Sequence, residues 1–251
     1  MKIGCLLSVR EKATRLPKKV LLDLVGEPVT AKLLKRLQQA EGIDKVILST
    51  STHQDDEVLV KLAEAMGVDA FQGSEDDKLQ RYYDTAMAFS LDGVVIVDGD
   101  DPLCFPEAIS TVARELRSSE VDCVYMTGLP LGAAATALST KALKKVLEIK
   151  AESDTEVWGG YFIGSGFFNT KEITLPDPLL NHPELRLTLD YQEDFDLIKS
   201  VYQEFNGRDD FTSYEVMDLL INKKPDLANI NASAQEKYEQ HINSAAPVRF
   251  K

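Results

Sequence analysis

Cysteine, histidine and tryptophan are scarce: three, three and one in 251 residues. Cys5, Cys104 and Cys123 are odd in number, lie far apart and include no CxxC pair. That excludes a disulfide framework and a thiolate zinc site, and leaves reduced, buried thiols. His53, His182 and His241 are scattered with no HExxH spacing, so they read as surface or core side chains rather than metal ligands. Basic residues are also in short supply. Against 41 Asp plus Glu stand 28 Lys plus Arg, a formal net charge of -13, so most of the surface repels polyanions and no nucleic acid partner is expected. No long hydrophobic run occurs either. The opening MKIGCLLSVR is apolar for only a few residues before Arg10, too short for a signal peptide and far short of the ~20 residues that span a bilayer. No membrane association and a cytoplasmic location are the expectation. Walker A, GxGxxG and GxSxG sequences are missing, and the lone Trp158 reads as a packing residue.

What is present is apolar character in short pieces. Hydrophobic residues make up 44% of the chain, enough for one sizeable α/β core. IGCLLSV, KVILST, VVIVDGD and VDCVYMTG are continuous apolar runs, as strands of a parallel sheet covered on both faces are. Between them, VTAKLLKRLQQAEG, DDEVLVKLAEAMG and DKLQRYYDTAMAFS carry helical spacing, and the first two end at a glycine suited to a helix C-terminus. This alternation through position 128 predicts an α/β fold with a mostly parallel, doubly wound sheet flanked by helices. Further on, LPLGAAATALSTKALKKVLEI ends in a helix, GGYFIGSGFF reads as strand and YQEDFDLIKSVYQEF as amphipathic helix. One domain is expected over residues 1–222. The polar residues 223–251 read as an extended tail or an oligomer contact, such as that of a homodimer.

Against the acidic background, Arg10, Lys12, Arg15, Lys18 and Lys19 fall within ten consecutive positions, opposed only by Glu11. A strand ends at Ser8, so these cations sit on the loop that leaves it, with Pro17 to stiffen them. Guanidinium forks and ammonium groups on such a loop suit a triphosphate; a solvated basic loop is the alternative. A second concentration of charge, Asp98, Asp100 and Asp101, follows VVIV at a strand end, where ligands of doubly wound sheets bind. Carboxylates there are hard oxygen ligands for Mg²⁺, which takes one or two of them. On an extended strand Asp98 and Asp100 point the same way, and Gly99 lets a ligand approach the backbone. The alternative is an acidic turn.

VREKATRLPKKVLLDLVGEPV, DKVILSTSTHQDD, FQGSEDDKLQRYYDTA, VDGDDPLCFPEAI and LTLDYQEDFDLIKSVYQEF follow one another in that order. In this the chain resembles the cytidylyltransferases typified by spore coat polysaccharide biosynthesis proteins, relatives of the CMP-Kdo and CMP-sialic acid synthetases. The likeness spans roughly residues 3 to 206. It implies a Rossmann-like fold of the glycosyltransferase-A, nucleotide-diphospho-sugar transferase type. It also implies CTP and Mg²⁺ as partners, transfer of CMP to an acidic sugar of the Kdo or nonulosonic acid type for surface polysaccharide, and release of pyrophosphate.

The family's opening motif A-R-x-G-S-x-R-L-P-x-K implies Arg10, Arg15 and Lys19 as triphosphate and catalytic contacts, with Leu7, Ser8 and Lys12 also at the nucleotide. G-D-x-P-L matches Gly99, Asp100, Pro102 and Leu103, implying Asp100 as the first metal ligand, and L-T-V-D matches Leu187 to Asp190, implying Asp190 as the second. GSEDDKLQR implies Ser74 and Arg81 near base and sugar, with Asp98 also at the nucleotide; Glu75, Asp76 and Asp77 can equally be the acidic first turn of a helix. The chain departs from the family at Lys12-Ala13, where Gly-Ser is usual, and at Ala134 and Thr136, where acidic residues are usual. Two other readings stay open: a nucleotidyltransferase for another nucleoside triphosphate and a sugar 1-phosphate, and a nucleotide-binding relative that has lost catalysis.

Overall fold

Parallel pairing organises the first hundred residues, as their unbroken apolar runs require. The computed structural model describes residues 1–243 and 248–251. In chain order its elements are β1 (Ile3–Ser8), the hairpin β2 (Asp23–Leu24) and β3 (Glu27–Pro28), α1 (Val29–Leu37), β4 (Lys45–Ser51), α2 (Glu57–Ala65), β5 (Asp69–Gly73), α3 (Lys78–Ala88) and β6 (Gly93–Asp98). After these come α4 (Pro106–Ser118), β7 (Cys123–Thr127), β8 (Thr136–Ser139), α5 (Thr140–Ile149), β9 (Thr170–Thr174), α6 (Gln192–Glu204), α7 (Ser213–Asp218) and α8 (Ala232–Asn243). Among the described residues one seven-stranded sheet runs β5-β4-β1-β6-β8-β7-β9. β1 pairs in parallel with β4 and β6, β4 with β5 and β7 with β9, while β8 runs against both of its neighbours. The expected mostly parallel α/β sheet is the one observed.

Period-two alternation explains why the strands are apolar throughout. Ile3, Cys5 and Leu7 of β1 pack on one face with Leu33 of α1, Val112 of α4 and Leu197 of α6. Leu6, between them, packs on the other face with Tyr82 of α3 and Leu143 of α5. Each such side chain contributes ~1.5–3 kcal/mol by leaving water. The three cysteines are free and buried, as expected. Trp158 packs edge-on against Tyr82 and Phe162. Among the described residues no helix is long and apolar enough to cross a membrane.

Two local expectations are corrected. GGYFIGSGFF is not a strand: it holds a 3-10 turn at Gly159–Tyr161, and Gly164 and Gly166 take φ of 73° and 77°. Those left-handed values break an extended backbone, while Tyr161 and Phe162 sink into the α3–α5 side of the core. Among the described residues, the segment from 225 to 243 is not extended but forms a 3-10 turn at Pro225–Asn229 and then α8. Val248 and Phe250 pack on the same side of the core as Tyr161, and Phe250 makes a bridge with Lys150. ASAQEKYEQ lacks glycine and proline and is rich in good helix formers, which explains α8. The side chain of His241 lies outside the described residues.

Candidate active site

β1 and β6 end side by side, with Ser8 opposite Asp98 in their register. This is the carboxyl edge of the sheet. The basic loop leaves it at Val9 and closes on a 3-10 turn, Lys19–Leu21. Between loop, strand ends, the start of α3 and residues 154–156 lies a cleft of about 430 Å³. A Cβ on Gly99 would stand 2.7 Å from Cβ of Val9. The glycine therefore admits Val9 against the end of β6, and its backbone also lines the cleft.

The five loop cations divide. Lys18 is 73% exposed and pairs with Glu11 at 3.4 Å; Lys12, equally exposed, stands at the cleft mouth 3.4 Å from Glu75. Arg10, Arg15 and Lys19 turn inward. Lys19 Nζ donates to Asp100 Oδ2 at 2.8 Å, Asp190 Oδ1 at 2.9 Å and the Leu189 carbonyl at 2.7 Å. Arg15 NH2 reaches the same Asp190 oxygen at 2.5 Å. The two carboxylates singled out from sequence, 90 residues apart in the chain, thus meet on one ammonium. The Lys12-Ala13 departure leaves the three inward cations in place.

The other end of the cleft holds a second ion cluster. Arg10 donates to Glu156 Oε2 at 2.6 Å and to the Glu75 carbonyl at 2.7 Å. Lys78, at the start of α3, sits 3.0 Å from Glu156 Oε1 and 3.3 Å from Asp98 Oδ1. Arg81 donates to the Ser74 carbonyl at 2.7 Å and lies 3.3 Å from Ser8 Oγ, which also accepts from Tyr82 at 2.8 Å. Arg81, Ser8 and Asp98 line the cleft; Ser74 does not, its hydroxyl accepting instead from the Asp77 amide at 3.1 Å. The Leu7 side chain is buried in the core. His53 caps a 3-10 turn and His182 pairs with Glu184 at 2.7 Å, so neither enters the cleft.

Burial weighs against the charge of Lys19, but Asp100 and Asp190 outweigh it and raise the ammonium's pKa. Burial likewise opposes ionisation of Asp190, yet Lys19 and Arg15 bring its carboxyl from 3.8 down to about 2. Both partners therefore stay charged over the whole physiological range. Among the described residues no group of three or more His, Cys, Asp or Glu is spaced to hold a metal ion by itself. Asp100 and Asp190 nevertheless converge within 2.9 Å of one cationic nitrogen. A hard-oxygen pair of this kind fits a divalent ion whose remaining positions go to phosphate and water.

Sequence reasoning missed Lys78, Glu156, Arg186 and Asp194. Arg186 NH2 donates to Asp190 Oδ2 at 2.9 Å, and its Nε to Asp194 Oδ1 at 2.9 Å. The signal available was spacing: Arg186 and Asp194 each stand four residues from Asp190.

The sheet has the Rossmann-like fold of nucleotide-diphospho-sugar transferases, with the cation-lined cleft at its carboxyl edge. The cytidylyltransferase family model matches residues 5–205, and the chain belongs to that family. It is similar to the spore coat polysaccharide biosynthesis protein SpsF of Bacillus subtilis, with 26% identity over 89% of this chain and 95% of that protein. It is also similar to a 3-deoxy-manno-octulosonate cytidylyltransferase of Anaeromyxobacter, with 30% identity over 64% of this chain and 62% of that protein. Among solved structures, a cytidylyltransferase from Leptospira borgpetersenii superposes with a TM-score of 0.83, covering 91% of this chain and 97% of that one at 23% identity, which establishes the shared fold.

Proposed function

We propose that this protein transfers CMP from CTP to an acidic sugar of the Kdo or nonulosonic acid type, releasing pyrophosphate, in the cytoplasm and in support of surface polysaccharide synthesis. The observation that carries the proposal is the meeting of Lys19 with Asp100 and Asp190 at the head of a cation-lined cleft. Similarity to the 3-deoxy-manno-octulosonate cytidylyltransferase of Anaeromyxobacter and to the spore coat polysaccharide biosynthesis protein of Bacillus supports the substrate class.

In this reading the triphosphate lies along Arg10, Arg15 and Lys19, whose fixed charges offset the charge that develops on the departing pyrophosphate. Lys12 serves at the mouth as a flexible point charge. Ser8, Arg81 and Asp98 hold the nucleoside end, with Ser74 and Leu7 behind them. Asp100 and Asp190 would hold Mg²⁺, which when bound supplies Lewis-acid polarisation of phosphate oxygens. A hydroxyl of the acceptor attacks the α-phosphorus and gives up its proton to solvent, the bond to the bridging oxygen breaks, and the pyrophosphate leaves along the cationic loop. Little covalent work falls to the protein, so positioning and charge dominate the rate.

The experiment is pyrophosphate release with each of the four nucleoside triphosphates and Mg²⁺, against Kdo, nonulosonic acids and sugar 1-phosphates. Turnover with CTP and an acidic sugar is expected. Turnover only with a sugar 1-phosphate would establish the other enzymatic reading, and nucleotide binding without turnover on any acceptor would mark a relative that has lost catalysis.

A further inference from the structure

We infer that Asn231 and Asp194 are positioning residues: acting through Arg186, they hold the Asp190 carboxylate in the orientation that presents Oδ1 to the cleft. The inference rests on the reading of Asp190 as a metal ligand. It brings the C-terminal segment, which lies beyond the 5–205 span of the family match, into the working site.

The two oxygens of Asp190 are divided between the cleft and the protein interior. Oδ1 faces Arg15 and Lys19, while Oδ2 accepts from Arg186 NH2 at 2.9 Å. The guanidinium is gripped as a fork by Asp194, Nε to Oδ1 at 2.9 Å and NH2 to Oδ2 at 3.1 Å. Arg186 NH1 has no partner among the described residues, so this fork and the ring of Tyr238, 4.7 Å away on α8, set its plane. Asp194 also accepts from the Asp190 and Tyr191 amides at 2.9 and 3.0 Å. Asn231, 2% exposed, completes the assembly by donating Nδ2 to Asp194 Oδ1 at 2.8 Å and to the Arg186 carbonyl at 3.0 Å.

Capping α6 requires of Asp194 only the Tyr191 amide. A buried arginine between two buried carboxylates, closed off by an asparagine from another segment, goes well beyond that, and taking these charges out of water is costly. What the arrangement secures is one geometry for Asp190. Partners that orient a metal-binding side chain are generally worth ten- to a hundred-fold in metal affinity.

The test uses the full chain and Mn²⁺ as the probe, with free Mn²⁺ followed by electron paramagnetic resonance at CTP equimolar with the protein, so that no excess nucleotide chelates the metal. Asn231→Ala removes the donor, and Asn231→Asp keeps its size while placing an acceptor against Asp194. Both are expected to weaken Mn²⁺ binding roughly ten- to a hundred-fold, with CTP affinity in EDTA kept within about three-fold and thermal unfolding still cooperative. Mn²⁺ affinity within about two-fold of the parent in both variants, with binding lost in Asp190→Asn, would overturn the inference and leave the metal reading standing. Loss of metal-free CTP binding together with cooperative unfolding would overturn it too, by making Asn231 merely structural. If Asp190→Asn binds Mn²⁺ like the parent, the metal reading itself fails and takes this inference with it.

Discussion

NH2 of Arg15 lies 2.5 Å from Oδ1 of Asp190, tying the loop after the first strand to a carboxylate 175 residues further along the chain. No comparable bond holds Lys12, whose ammonium stands 3.4 Å from Glu75 and is 73% exposed. Arg15→Ala should therefore weaken CTP binding roughly ten- to a hundred-fold, the value of a charge-assisted bond or two. Lys12→Gly should change it by less than about three-fold, as exposed pairs do. Calorimetry on both variants at one salt concentration checks the order, and the reverse order would mean the loop holds phosphate by its outer cations.

Asp100→Asn and Asp190→Asn each remove one charge from the hard-oxygen pair. Metal-dependent turnover should fall by roughly a hundred-fold or more in each, the scale of losing one preorganised charged group, with far-UV circular dichroism unchanged. A variant that kept near-native pyrophosphate release would show that its residue is not a ligand.

The depressed Asp190 carboxyl, at about 2 against an ordinary 3.8, links stability to acid. The unfolded chain takes up this proton at the higher pH, so the contribution is whole above pH ~4 and is lost as pH falls through about 2. Its size is of order 2 kcal/mol. Urea unfolding in EDTA from pH 5 to pH 2 should show the gap between parent and Asp190→Asn narrowing across that window. A gap that stays constant would assign the acid sensitivity to other carboxylates.

Glu156 places a carboxylate on two cleft cations, 2.6 Å from Arg10 and 3.0 Å from Lys78. An anionic ligand seeking those cations must displace it. Glu156→Gln should accordingly tighten CTP binding by roughly two- to ten-fold, at ~0.4–1.4 kcal/mol, and steepen its salt dependence, since the unpaired cations are more open to screening. Weaker binding in this variant would mean that Glu156 orients the cations for the nucleotide rather than competing with it.

The parts of this molecule legible in sequence are those where one physical demand dominates. β1, β4 and β6 announce themselves because both faces of each are covered over most of their length, while β7 is read from its apolar start although Tyr125 and Thr127 are only half-buried. β5 does not, since this edge strand is only half-buried, and β8 is four residues long and runs straight into α5. The strand-end cations and carboxylates stand out because charge is unusual there. Asn231 escapes notice because its partners Asp194 and Arg186 stand 37 and 45 positions away, whereas Arg186 and Asp194 offer only a local spacing about Asp190, four residues on either side, that no known motif marks.

Strand β8 follows β7 in the chain yet lies between β6 and β7, and this sets the order in which the sheet can be built on the ribosome. β5, β4, β1 and β6 can assemble as soon as Asp98 has emerged, since every pairing among them is then available. β7 has no neighbour to join until β8 arrives some dozen residues later, and β9 can be added only after that. Until then the free edge of β6, with Val94 and Ile96 pointing to one side and Val95 and Val97 to the other, is an open template for stray strands. The nascent chain is most exposed to aggregation in the interval between residues 98 and 139.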